Sequence, residues 1–112
     1  HELDVEAMQT AAKYLLGEHD FTSFRAGNCN AKSPVRTMDR IEVVERGDYI
    51  IFEFEGRGFL KHMVRNFVGT LVYIGKKKYP ASQIKTILSA RDRKVAGPTA
   101  PPEGLCLIKV EY

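Results

Sequence analysis

The chain has 112 residues, 44% hydrophobic and 28% charged, with 17 Lys and Arg against 14 Asp and Glu for a formal net charge of +3. That length fits a single domain over 1–112, and the composition excludes a disordered, fibrous or collagen-like chain. The charge suits an anionic partner without amounting to a polycationic tail. No run reaches the roughly 18 apolar residues that cross a bilayer, and no secretory leader pattern opens the chain.

The first residue is His1, and a helix pattern is under way three residues later, which reads as a piece of a longer chain. Asp4 is a natural N-cap, Glu6 suits the positive end of a helix dipole, and Val5, Met8, Ala12, Leu15 and Leu16 form an apolar stripe that Gly17 terminates. The polar segment 17–28 reads as a turn or irregular helical stretch, with Phe21 and Phe24 fitting core packing better than base stacking. A loop covers 30–34. Strands are expected over 35–45 and 48–55, the second with Ile50, Phe52 and Phe54 on one face, joined by the turn signal Arg46-Gly47-Asp48. A second helix is expected over 58–75. A third begins near Pro80, with Ile84, Ile87 and Leu88 as its core face. Prolines make 95–103 an extended loop, and 105–112 closes the chain as a strand. The order predicts an α+β domain, an antiparallel sheet with helices packed on one face.

The segment GFLKHMVRNFVG (58–69) is apolar enough for a core helix yet carries Lys61, His62 and Arg65. At about 100° per residue, Leu60, Val64, Phe67, Leu71 and Ile74 share one face, while Lys61, Arg65, Gly69 and Val72 share another. A glycine inside a helix costs about 1 kcal/mol against alanine and is kept where something must come close. Two readings stay open on the residues alone. Arg65 is either a solvated helix arginine or the charge of a cleft wall, with Gly69 as clearance beside it. Lys76-Lys77-Lys78 fits equally a solvated helix end and a phosphate contact.

No Ser–His–Asp arrangement and no glycine-rich phosphate loop can be argued, and Arg57-Gly58-Phe59 starts an RNA-recognition signature that Leu60-Lys61-His62 breaks. Cys29 and Cys106 sit in no CxxC pair or metal-ligand spacing and read as two reduced thiols of a cytosolic protein.

Five blocks in order carry a resemblance: LDVEAM (3–8), GEHDFTSFRAGN (17–28), KSPVRT with RIEV (32–37 and 40–43), GFLKHMVRNFVGTL (58–71) and AGPTAPPEGLCLIKVEY (96–112). Together they resemble the C-terminal half of the tRNA pseudouridine synthase A family, which isomerises uridines in the anticodon arm of tRNA. The resemblance implies two α+β halves facing across a basic cleft, homodimers, a cytoplasmic location and no cofactor or metal. The family's nucleophilic aspartate stands in a Gly-Arg-Thr-Asp context in the N-terminal half. This sequence has no such segment, so catalysis by these residues alone is not expected.

The resemblance makes Arg65 the partner of that aspartate and Leu105 the apolar residue packed under the active-site aromatic. It leaves Arg25, Lys61, His62, Lys76, Lys77, Arg91 and Arg93 as tRNA-contact candidates. A non-catalytic RNA-binding module and a dimerisation module are the alternatives.

Overall fold

A computed structural model describes residues 3–27, 32–47, 49–60, 62–98 and 106–111, the last stretch as backbone. Helix α1 spans Val5–Lys13, and the Asp4 carboxylate accepts the Ala7 N–H at 3.0 Å as its cap. Met8, Ala11, Ala12 and the following Leu15 are buried. The helix stops before Leu16, which leaves the expected stripe and is 38% exposed.

Gly17, at φ +91°, opens strand β1 (Gly17–Asp20), and a 3-10 turn follows at Thr22–Phe24. The polar composition of this stretch predicts a turn or irregular helix. Its strand character comes from pairing, Gly17 opposite Met38 and Asp20 opposite Val35, not from its own polar composition. Strands β2 (Val35–Arg46) and β3 (Tyr49–Arg57) form the expected hairpin, with Gly47 at φ +58° in the turn. The register shifts between Met38 and Arg40. Opposite that bulge, a Cβ on Gly56 would lie 2.9 Å from the Thr37 carbonyl oxygen, so the close approach requires glycine.

Helix α2 spans Met63–Gly75 and helix α3 spans Gln83–Ala90. Strand β4 is Cys106–Glu111. The α2 start corrects the expected 58–75. Gly58 has φ +76° and His62 φ +61°, and left-handed residues cannot continue a right-handed helix. Pro80 precedes α3 by one turn, its carbonyl accepting the Gln83 N–H at 2.9 Å.

The sheet order is β1-β2-β3-β4. β1, β2 and β3 pair antiparallel, as the expected sheet requires, whereas the closing strand β4, expected in that antiparallel sheet, joins parallel to β3, with Ile50 opposite Cys106 and Glu55 opposite Glu111. β3 alternates as expected, Ile50, Phe52 and Phe54 being fully buried. They meet Met63, Phe67, Leu71 and Ile74 of α2 and Ile84 and Ile87 of α3 in one core. Phe67 is the centre of an aromatic cluster, 5.3 Å from Phe21 and 4.9 Å from Phe24 between ring centroids, and stacked on Phe54 at 5.8 Å. Phe21 and Phe24 are both fully buried, so they serve the core.

The other sheet face carries charged side chains beside the half-buried pair Val44 and Ile51. There Arg40 reaches Glu42 at 3.1 Å, Glu53 at 3.4 Å and Glu55 at 3.6 Å.

Candidate functional site

Helix α2 is covered on more sides than a two-faced helix would be. Besides its core face, Met63, Asn66, Val68, Gly69, Thr70 and Gly75 are buried, while Val64, Arg65, Val72 and Tyr73 are half-buried. Gly69 is therefore not open clearance in a cleft. The chain at Ala96–Gly97 crosses α2 here. A Cβ on Gly97 would lie 2.8 Å from Thr70 Cα and 3.2 Å from the Gly69 carbonyl oxygen, and the Gly97 N–H donates to Thr70 Oγ1 at 3.0 Å. A close approach to the helix is real, but the approaching backbone is the chain's own, and the glycine it requires is Gly97.

Three polar side chains are buried among the described residues: Ser23, Asn66 and Thr70. Each fastens distant backbone. Ser23 Oγ donates to the Ile87 carbonyl at 2.6 Å and accepts the Asp92 N–H at 2.8 Å. Asn66 Nδ2 donates to the Phe24 carbonyl at 2.6 Å, and its Oδ1 accepts from Arg93 Nη2 at 3.1 Å. Arg93 Nη1 donates to the Gly97 carbonyl at 2.7 Å. A carbonyl only accepts and a guanidinium only donates, so these partners fix which way the Asn66 amide points. Sequence reasoning passed over all three. Their one signal was a polar residue in an apolar helix or beside two phenylalanines.

The predicted residues fall into two groups. Arg65 lies in the first turn of α2, next to Asn66. Arg25 follows the Phe24 carbonyl that Asn66 holds. Arg93 is bonded to Asn66 itself, and Arg91 precedes Asp92, whose amide Ser23 holds. His62 is exposed at the start of α2 and makes no side-chain cap. These residues gather at the N-terminal end of α2. Lys76 and Lys77 are exposed beyond its C-terminal end, 11 and 12 positions past Arg65 and so about 16 to 18 Å along the axis. Their amides close the helix, donating to the Val72 and Ile74 carbonyls at 2.9 Å. Lys61 and Leu105 lie outside the described residues, as do Cys29 and the side chain of Cys106.

Electrostatics sharpen the N-terminal group. The first turn of α2 contains no acidic residue and carries Arg65, although a helix N-terminus is the positive end of its dipole. Such an end favours a facing anion. Arg91 reaches the Asp20 carboxylate at 3.6 Å from an exposed position. Partial burial raises the Asp20 carboxyl. Hydrogen bonds from the Thr22 hydroxyl at 2.6 Å and amide at 2.9 Å outweigh it, with the Arg91 and Arg25 charges adding, and hold it below the usual carboxylate value. Among the described residues no helix is long and apolar enough to cross a membrane, and no three His, Cys, Asp or Glu side chains gather as a metal site needs.

The fold is that of an α+β domain whose segments bearing Arg25, Arg65, Arg91 and Arg93 meet around one end of a central helix. Residues 11–112 match the family described as tRNA pseudouridine synthase. The chain is 53% identical over 110 residues to the tRNA pseudouridine synthase A of Acidiphilium cryptum (strain JF-5), covering 98% of this chain and 43% of that protein. The corresponding protein of Gluconobacter oxydans (strain 621H) is 53% identical over 110 residues, 98% of this chain and 40% of the relative. That of Janthinobacterium sp. (strain Marseille) is 51% identical over 111 residues, 99% and 41%. The chain belongs to the tRNA pseudouridine synthase family. It spans about two fifths of the length of these curated relatives.

Proposed function

We propose that this chain forms one wall of the active-site cleft of a tRNA pseudouridine synthase that converts uridine to pseudouridine in the anticodon arm. The rest of the full-length enzyme supplies the nucleophilic aspartate. What carries the reading is Arg65: a cation in the first turn of a helix with no acidic residue there, in a chain that matches the family from residue 11 to its last residue. An arginine keeps its proton, and its fork holds a carboxylate by two parallel hydrogen bonds. A carboxylate held so stays ionised and aimed.

Uridine and pseudouridine are isomers, so the reaction needs no oxidant or reductant. The aspartate attacks the flipped-out nucleotide and the bond from sugar to N1 breaks; the uracil turns, its C5 bonds to the sugar as the aspartate is released, and C5 then gives up its proton while N1 takes one, so no atom is gained or lost. Arg65 keeps the attacking carboxylate charged, and Leu105 supports the base-stacking aromatic from below. Arg25, Lys61, His62, Lys76, Lys77 and Arg91 meet tRNA phosphates. The enzyme works in the cytoplasm as a homodimer, and these 112 residues alone have no turnover.

The test is Arg65→Ala in the full-length enzyme. Turnover is expected to fall by about 100-fold or more, the scale of losing one preorganised electrostatic partner, with tRNA affinity nearly unchanged. Near-normal turnover would remove Arg65 from the site.

A further inference from the structure

Arg93 stands among the cations that a basic cleft would offer to phosphate, yet its guanidinium is otherwise engaged. One nitrogen holds the Gly97 carbonyl at 2.7 Å and the other holds Asn66 Oδ1 at 3.1 Å. Asn66 is 1% exposed and sits beside Arg65 on the first turns of α2. Its amide grips the Phe24 carbonyl at 2.6 Å, which fixes the peptide that leads into Arg25. One side chain thus joins three segments far apart in sequence, each contributing an arginine.

The geometry points to Asn66 and Arg93 as positioning residues, a clamp that sets Arg65 and Arg25 relative to each other without touching substrate. This rests on the reading of Arg65 given above. The physical case is that α2 starts poorly on its own. It is entered through His62 in a left-handed conformation, has no side-chain cap, and places a cation at its positive end. The orientation of its first turn therefore depends on tertiary anchors, and Asn66 is buried at that turn with a bond to each flanking segment. Arg93 is suited to its part because a planar fork can serve two acceptors at once, which an ammonium on a flexible stem does not reproduce.

That difference separates a clamp from a phosphate contact. In the full-length enzyme, Arg93→Lys, Arg93→Ala, Asn66→Ala and Arg65→Ala are compared for kcat, KM and tRNA affinity across a salt series. All measurements are made well below each variant's melting temperature. A clamp predicts that Arg93→Lys and Arg93→Ala both lose kcat, by up to about 100-fold for a misplacement near 1 Å, with the salt dependence of binding unchanged because Arg93 itself meets no phosphate, and with any rise in KM confined to what a shifted Arg25 contact costs. It also predicts that adding Asn66→Ala to Arg93→Lys costs little more, because the two act as a unit.

Arg93→Lys at wild-type rate, with Arg93→Ala lowering the salt slope by about one, would make Arg93 a phosphate contact and overturn the proposal. A lowered melting temperature with normal kcat would overturn it equally, by reducing the clamp to ordinary stability. An active Arg65→Ala would remove the catalytic reading and the clamp's purpose with it. An inactive Arg65→Ala beside an active Arg93→Lys would remove the clamp alone.

Discussion

Gly97 lies against Thr70 so closely that its N–H reaches the threonine hydroxyl at 3.0 Å while the place of a Cβ is 2.8 Å from Thr70 Cα. The neighbour is helix backbone, which cannot swing aside as a flexible side chain would. Gly97→Ala is therefore expected to destabilise the protein by about 1–3 kcal/mol, the range of overpacked sites, measured as a lowered denaturation midpoint. An unchanged midpoint would mean that the crossing has slack.

Phe67 holds the aromatic cluster together, touching Phe21, Phe24 and Phe54 with no exposure of its own. Phe67→Ala is expected to cost about 3–5 kcal/mol, and Phe67→Leu clearly less because most of the volume remains. Urea titration of both variants checks the order. Equal losses would show that ring geometry outweighs volume.

Asp20 supplies a pH dependence with a definite sign. Its folded carboxyl titrates below its unfolded value, so the stability it gives is fully present above the unfolded value, near pH 4. It is lost as pH falls through the folded one. Asp20→Ala is expected to cost about 1 kcal/mol at neutral pH, a modest figure because the group is partly exposed, and the cost should fade under acid. A difference between the two proteins that stays constant from neutral to acid pH would show that the carboxylate charge is irrelevant.

Arg40 faces three glutamates on the polar side of the sheet. Its replacement by alanine leaves like charges facing one another across β2 and β3. The loss of stability should be greatest in low salt and shrink as salt screens the repulsion. Melting temperatures across a salt series decide this, and a salt-independent loss would point to packing by the arginine stem instead.

Strand β3 was legible because DYIIFEFE alternates with a period of two, and Tyr49–Arg57 folds with that alternation intact. Helix α1 was legible from its cap, and the location of Arg65 on a helix from the apolar spacing around it. Strand β1 was not, since Gly17–Asp20 is polar and short and takes its form from β2. The start of α2 was overrun because apolar periodicity continues through residues whose backbone is left-handed at His62. The parallel placement of β4 depends on the path of the connection, which no local pattern encodes. Asn66 was missed for a related reason. Its partners lie at Phe24 and Arg93, and no window of sequence contains all three.

The buried polar residues share one habit: Ser23, Asn66 and Thr70 each take main-chain atoms as partners, at Ile87, Phe24 and Gly97. A peptide group is present whatever side chain its residue bears. The segments that carry Arg25 and Arg91 are thus tethered through backbone at Phe24 and Asp92, and those tethers would survive a change of either arginine. Such a scaffold can drift in the charges it carries at its surface while the helix beneath stays in register, so surface chemistry can change without loss of the fold.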